Sequence, residues 1–474
     1  SSKPLSKFLV ILLIFSLLQR WNLLVAFLKS FLFIVPMHQS FGVLNFESRQ
    51  FARLKNCLDF LDYSMSKFKK QKTRGTEMNK FTKISLATSI VLASISTANA
   101  DSLEEAFKAS KVKGELKTMY FERESKDGSN SDITALGGNI GIVTGSYNGL
   151  FGGATFQTSH IESLNYSPSE IKDISFDTDM GAGGSIMSES YLGYKLGNTT
   201  LKAGRQFIAT PIVSGSGSRM IRDSFEGYTL VNTDIPNTIV ALGYVDKYAA
   251  RTSSSFSATN VNTAITPGEF ADYKDGASTV YIKNNSIANL DLQAQYLKIA
   301  KYETTGDATV AYADASYKMG DYKLSAQYLT SDNGKTSASD GTMMGAKIDA
   351  KFDNLELTAA YNTSDDKADT LLGAGEGATP AFTALSVGSG KNAAKKDTDS
   401  YMVKASYKLG DATLMAGYAN YDIAGIKKTE TELNAKYDIN KQTSAQVVYS
   451  MFDADNIAST DKERETRVYL TYKF

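Results

Sequence analysis

The chain predicts an all-β protein, a transmembrane antiparallel β-barrel of about 18 strands, with about 16 as the alternative count, short periplasmic turns and long extracellular loops. Three observations lead there. From Asp101 to Phe474 no apolar run approaches the roughly 20 residues that a membrane-spanning helix needs. Period-two alternation of apolar and polar residues takes its place. Tight turns also alternate with long polar connectors, an asymmetry that a soluble sandwich does not require.

Composition separates two parts of a chain whose 474 residues are formally neutral. Residues 1–100 carry 14 Lys or Arg against 4 Asp or Glu, which leaves 37 against 47 in 101–474. Trp21 and Cys57, the single Trp and the single Cys, both precede Asp101. The remainder therefore uses neither disulfides nor thiol chemistry, and is compatible with export into an oxidising compartment.

Residues 1–77 hold two apolar runs, Phe8 to Leu18 and Leu23 to Val35, each too short to span a bilayer. They read as an upstream extension outside the mature protein, with a signal-anchor pair as the other reading. Residues 78–100 form a conventional secretory signal peptide. Lys80 and Lys83 supply the charged start, Ile84 to Ile95 the apolar centre, and Ala98, Asn99 and Ala100 the small-residue site. Cleavage is expected at about Ala100/Asp101, which leaves 101–474 as the barrel domain. Asp101 to Ser110 predicts a short periplasmic helix.

Strands are expected to start near Val112, Ala135, Gly152, Ser188, Thr200, Ser224, Asn237, Ala277 and Leu290. The second half continues near Ala308, Tyr322, Gly341, Leu355, Asp399, Ala412, Lys427, Thr443 and Arg464. Most run about ten residues, the length of a tilted membrane strand. The short connectors repeat one wording, Tyr194 to Asn198, Tyr317 to Asp321 and Tyr407 to Asp411, with Phe352 to Asn354 and Tyr437 to Asn440 as variants. An aromatic before each tight turn suits an interfacial girdle. The long connectors are 161–187, 209–223, 249–276, 364–398 and 453–463.

Lipid is costly for charge, so parity assigns the two faces. Ala405, Tyr407 and Leu409 read outward, as do Leu433, Ala435 and Tyr437, while Lys404, Ser406 and Lys408 read inward. Lys113, Lys117, Lys195, Lys202, Lys347, Lys404 and Arg467 form a candidate basic track in the lumen. Glu115, Asp291, Asp314 and Asp349 share that face, so the reading is a mixed and weakly selective lumen. At the C-terminus Leu470, Tyr472 and Phe474 alternate outward, the form of signal read by the outer-membrane assembly machinery.

Ser190 to Tyr228 organises the rest, as strand, Gly197-Asn198 turn, strand, polar loop and strand. Arg219 and Arg222 sit in its Ser/Gly loop, where guanidinium groups would hold a carboxylate in bidentate fashion. The alternative is that they pair with Asp223 or Glu226 and only fix the loop. Gln206, Ser214, Ser216, Ser218 and Glu226 complete the expected set of constriction and solute contacts. Arg205 falls on the outward parity and is expected to meet lipid headgroups or lipopolysaccharide.

Catalysis finds no foothold, because His160 is the only histidine after residue 100 and no phosphate-cradling loop or metal-ligand spacing is present. The acidic groups Asp365-Asp366 and Asp453 to Asp455 read as solvated loop charge, with divalent-cation binding as the alternative. No cofactor, metal or nucleic-acid partner is expected.

The stretch LKAGRQFIATPIVSGSGSRMIRDSFEGY resembles the OprD-type porin family around its third extracellular loop. Thr200 to Lys202, Gly204, Gln206, Pro211, Val213-Ser214, Arg219-Met220 and Phe225 to Tyr228 carry the likeness. Ser102 to Phe107 also resembles the mature start of campylobacterial major outer-membrane porins. The resemblance implies an eighteen-stranded barrel whose third loop, here 209–223, folds inward as a constriction, assisted by the seventh, here 364–398. It further implies a ladder of basic residues that guides carboxylate-bearing nutrients. Arg222 departs from the pattern, since a proline is common there. The expectation is an outer-membrane porin for small hydrophilic solutes and ions, not an enzyme, and trimers are usual among general porins. The competing class is an adhesin-like surface barrel with an occluded pore.

Overall fold

In a computed structural model the described residues are 99–125, 130–166, 184–251, 270–302, 306–334, 340–388, 390–454 and 462–474. The expectations for 1–77, for most of the signal peptide and for the centres of three long connectors lie outside them. A six-residue helix, α1 (Leu103–Lys108), precedes the sheet. Ser102 accepts a hydrogen bond from the Glu105 N–H and so caps it, as its side-chain oxygen allows.

Eighteen long strands follow. They are β1 (Lys111–Ser125), β2 (Asn130–Val143), β3 (Leu150–Tyr166), β4 (Gly184–Leu196), β5 (Thr199–Gln206), β6 (Ser224–Asn232), β7 (Thr238–Ala249), β8 (Ala271–Asn284) and β9 (Leu290–Tyr302). The second half comprises β10 (Gly306–Met319), β11 (Tyr322–Asp332), β12 (Gly341–Phe352), β13 (Leu355–Ser364), β14 (Thr398–Leu409), β15 (Ala412–Ile423), β16 (Ile426–Asp438), β17 (Thr443–Ala454) and β18 (Lys462–Lys473). Each pairs antiparallel with its neighbour, and β1 pairs with β18 through registers such as Met119↔Tyr469. The barrel is closed, which removes every sheet edge. The expected fold class and the higher strand count both hold.

The turn words do what their chemistry allows. Gly197, Gly320 and Gly410 adopt φ 57°, 60° and 59° as the first residues of two-residue turns. Such hairpins demand positive φ, which costs glycine little. On the opposite side, β15 and β16 are joined by only Ala424 and Gly425, both at positive φ, so that side is not uniformly long-looped. The C-terminus completes the seam, with Phe474 N–H donating to Gly114 O at 3.1 Å and Gly114 N–H to Phe474 O at 3.0 Å. Leu470, Tyr472 and Phe474 are all exposed, as outward parity requires.

The faces differ from expectation in one respect. Exposed apolar residues run along the outward face, for example Leu192, Tyr194, Tyr407 and Leu409. The inward face is polar towards the short turns and partly apolar towards the long loops. On β9 the inward row runs Asp291, Gln293 and Gln295, then Leu297 and Ile299, the last two buried. On β10 to β12 the buried Val310, Leu329 and Met343 replace the polar residues in the same upper layer. The reason is the connectors 207–223 and 365–397, hereafter loop 3 and loop 7. Their Ile212, Val213, Ala374, Ala381 and Leu385 form one core with that wall. An inward position is wet only where no loop covers it, because apolar area gains about 25 cal/mol per Å² when it leaves water.

Candidate functional site

Loop 3 leaves β5 at Gln206, which is 3 % exposed and spends its amide on the wall. Its Nε2 donates to Gly204 O and Gly227 O, and its Oε1 accepts from Thr229. A small hairpin then forms, Ala209 bridging Ser214, with Thr210 N–H donating to Val213 O at 2.9 Å. Its tip reaches β9, where Gln295 accepts from Ile212 N–H at 3.0 Å and donates to Thr210 Oγ1 at 2.8 Å.

Loop 7 docks onto this hairpin as a parallel bridge, Val213↔Ala374. Ser214 N–H donates to Ala374 O at 3.0 Å, and Gly377 N–H to Ser214 O at 2.9 Å. Gly375, at φ 85°, is required here, since a Cβ would sit 2.3 Å from Ser214 O and 2.7 Å from the Phe225 ring. Gly375→Ala is expected to cost the loop junction more than about 1 kcal/mol through the φ alone. Limited proteolysis should then cut loop 7 faster while the barrel keeps its folded gel mobility; an unchanged cleavage rate would contradict the bridge.

The far side of loop 7 is held by two buried carboxylates on β16. Glu432, 0 % exposed, accepts from Ser386 N–H (2.8 Å), Ser386 Oγ (2.7 Å) and Val387 N–H (3.2 Å). Glu430 accepts from Gly388 N–H at 2.9 Å. Nearer the surface, burial works against the Asp369 charge, but Lys395 and the Lys396 N–H outweigh it and hold its pKa below the usual carboxylate value. A depressed carboxylate stabilises the fold above its ordinary pKa and loses that contribution as pH falls through the depressed value. The clamp on 369–396 is therefore intact at neutral pH.

Loop 3 turns back along the other wall. Lys117 on β1 donates to Arg219 O at 3.1 Å, and Tyr469 on β18 to Ser218 O at 3.0 Å. Met220 packs on Met119 and Ala135, and Ile221 on Ile186 and Ala249. Gln157 on β3 clamps the Arg222 backbone from both sides, accepting its N–H at 3.1 Å and donating to its O at 3.0 Å.

The two candidate arginines lie in different surroundings. Arg219, 6 % exposed, stands 6.0 Å from the Phe121 ring centroid and donates to Ser218 Oγ at 3.4 Å. Arg123 and Arg467 approach the same ring at 5.5 and 5.4 Å. Glu465 lies between those two, accepting at 3.2 Å from Arg123 and 2.8 Å from Arg467. Three guanidiniums thus share one aromatic ring, an arrangement their weak hydration permits. Arg222 sits over Phe207 at 4.6 Å, and its Nε is buried without a protein hydrogen-bond partner. Burial lowers its pKa, against the pull of Glu189 and Asp223.

Asp223 turns out to be the junction of three loops. Its carboxylate is 0 % exposed and accepts from Ser216 N–H at 3.1 Å, Arg251 N–H at 2.6 Å and Glu376 N–H at 3.1 Å. Arg251 also donates to Ser216 Oγ and Ser218 Oγ and pairs with Glu376 at 3.3 Å. Ser216 and Ser218 are therefore engaged within the junction, whereas Ser214 meets loop 7 through its backbone. Burial pushes the Asp223 pKa up, with Arg251, the Ser216 N–H and Tyr248 opposing.

Glu226 departs from its expected place. Phe225 is buried in the inner core, so Glu226 takes the outward parity. It accepts from Arg205 at 2.8 Å and lies 3.7 Å from Lys247. It belongs to an outer ion-pair row, not to the lumen, and Arg205 is spent on it and on the Phe270 ring at 4.2 Å.

Among the candidate lumen cations, Lys113 and Lys195 are exposed and Lys404 half-buried. Lys202 lies 4.4 Å from the Tyr191 centroid, Lys347 4.8 Å from Phe382. Acid neighbours accompany several of them, Lys117 with Glu115 at 3.6 Å and Lys347 with Asp349 at 3.7 Å. Arg123, Arg251, Glu376, Glu430, Glu432 and Glu465 escaped the sequence reading, which named Asp223 only as a pairing partner for Arg219 or Arg222. Inward parity marks the strand members of this set; nothing local marks Arg251 or Glu376. Among the described residues no group of three or more His, Cys, Asp or Glu is placed to hold a metal.

A family model described as Gram-negative porin matches residues 87–457. Among solved structures, OpdO of Pseudomonas aeruginosa superposes with a TM-score of 0.64 at 15% identity, over 78% of this chain and 98% of that one. OccK9 (OpdG) of the same organism gives 0.64 at 16%, over 78% and 99%. OccAB2 of Acinetobacter baumannii gives 0.61 at 17%, over 78% and 99%. These likenesses speak for the fold. No curated protein matches the chain in sequence.

Proposed function

The chain belongs to the Gram-negative porin family, an outer-membrane channel rather than an enzyme, and from that premise we propose how it passes solutes. Residues 101–474, freed by cleavage at about Ala100/Asp101, form a diffusion pore for small hydrophilic solutes and ions. Loop 3, fastened by loop 7, sets the aperture. Arg219, with Arg123 and Arg467 on the same ring, and Arg222 over Phe207 give the passage a preference for carboxylate-bearing nutrients. Transport is passive, since binding weak enough to release the solute is what conduction requires.

The observation that carries this reading is the convergence of guanidiniums on Phe121 beside loop 3, balanced by Glu465. A fixed positive field in a low-dielectric passage attracts anions far more than the same charges would in water. Gln206, Ser216 and Ser218 support the loop in this scheme, their side chains being bonded within the protein. Lys113, Lys195, Lys202, Lys347 and Lys404 tune ion preference in the polar part of the lumen.

Liposome swelling tests the solute class. Vesicles holding refolded 101–474 should admit a small carboxylate faster than a neutral sugar of equal size. Equal rates would remove the carboxylate preference and leave a general pore. The buried apolar layer joining loop 7 to the wall favours a second reading, a surface barrel with an occluded lumen; such a barrel would admit neither solute.

A further inference from the structure

The fold leaves one apolar feature unused. On α1, Leu103 and Phe107 are 57% and 66% exposed, one helical turn apart on one stripe. Neither is needed to dock the helix. The docking residue is Ala106, 4 % exposed, whose O accepts from Gly145 N–H at 2.8 Å in the β2–β3 connector. A Cβ on Gly145 would lie 3.0 Å from Ala106 O and from Ala109 Cβ, so the helix sits as close as backbone permits. The helix is thus held at the short-turn end of the barrel with two large apolar side chains pointing away from its support.

The strand ends that flank α1 and its docking connector carry outward, exposed apolar residues. Val112, the second residue of β1, has outward parity and is 56% exposed. Ile142 and Leu150, which flank the connector that holds α1, are outward and exposed as well. Only Ala109, Ser110 and Lys111 separate α1 from Val112. The Leu103/Phe107 stripe therefore lies at the same end of the barrel as these members of its apolar belt. The other side of α1 carries Glu104, Glu105 and Lys108, as an interfacial amphipathic helix does.

We propose that α1 is an interfacial foot, lying in the periplasmic leaflet of the outer membrane with Leu103 and Phe107 inserted at the boundary of headgroups and acyl chains. The inference rests on the outer-membrane placement of the barrel and adds a lipid contact outside its wall. The foot would fix the height and tilt of β1 at the seam where the barrel closes on β18.

The chain offers a clean reporter, because Trp21 is its one tryptophan and lies before residue 101. Phe107→Trp and, separately, Leu103→Trp are made in refolded 101–474 and placed in vesicles of phospholipid brominated near the top of the acyl chain. Leu116→Trp, at an outward barrel position 59% exposed, serves as the membrane control. The expected result is loss of most Trp emission in brominated lipid for all three, with little quenching by aqueous acrylamide. Acrylamide quenching at 103 and 107 with Leu116→Trp quenched by lipid would overturn the proposal, as the stripe would then face water. Shielding of 103 and 107 from both quenchers would also overturn it, in favour of a covering protein surface. A Leu116→Trp signal untouched by brominated lipid would instead defeat the membrane placement itself, and the foot with it.

Discussion

Asp223→Ala is expected to unfasten the inner loops of the barrel. The substitution removes a shared acceptor from the backbone N–H groups of Ser216, Arg251 and Glu376 in a place with no exposure, leaving the Glu376 N–H only its longer bond to Tyr248 Oη at 3.3 Å. Each buried donor left unpaired costs about 1–3 kcal/mol. Arg251 also loses a charge partner and is left with Glu376. A loss on the order of 3–5 kcal/mol, the usual consequence of removing one side of a buried pair, follows. The loss falls on loops 3 and 7 and not on the strand ladders. Denaturation should show an early loop transition ahead of an unchanged barrel transition, and the channel should become noisier. A single transition at the original midpoint would contradict the junction.

The same residue carries a pH signature. Its pKa is raised by burial, so the folded state takes up this proton more readily than the unfolded chain does. Linkage then gives the sign: stability grows as pH falls through the raised value, and the term is fully present below the ordinary carboxylate pKa. Acid therefore does not unfold the protein through Asp223. It does replace the charge that faces Arg251, with Glu376, Tyr248 and the Ser216 N–H around it. Any change in conductance from this group should fall above the ordinary carboxylate range and vanish in Asp223→Asn.

The second large effect is on ion preference. Arg219→Ala with Arg222→Ala removes two positive charges from loop 3 and leaves Arg123 and Arg467 on Phe121. Under a salt gradient the reversal potential should move toward the cation side, and more at low ionic strength, where screening lengths are about 30 Å at 0.01 M against about 10 Å at 0.1 M. The fold should survive, because the loop is held here by Lys117, Tyr469 and Gln157 through backbone atoms that alanine keeps. An unmoved reversal potential would place the filter elsewhere, the lysines of the polar part of the lumen being the remaining candidates.

The barrel was legible because its information is local. Ser224, Leu290, Tyr322, Gly341, Leu355, Ala412 and Thr443 begin strands where alternation places them, and each tight turn repeats its own chemistry. The inner apolar layer was not legible. Leu329 and Met343 have inward parity, yet whether such a position is wet depends on a loop whose Ala374 and Leu385 reach it from far along the chain. The junction at Asp223 was not legible for the same reason, since its Glu376 donor lies 153 residues away. Glu226 misled because a motif gives adjacency and not facing, and Phe225 claims the inner side. The parity rule did mark Arg467, and Arg123 and Glu465 lay on the same inward rows.

Single-channel recording of refolded 101–474 in a planar bilayer under a salt gradient tests the central claim most directly. Stepwise conductance, with a reversal potential on the anion side for the native chain, is the result expected of a pore whose aperture is set by loop 3. A correctly folded, membrane-inserted barrel that passes no current would contradict it, and the apolar layer between loop 7 and the wall would then be a plug.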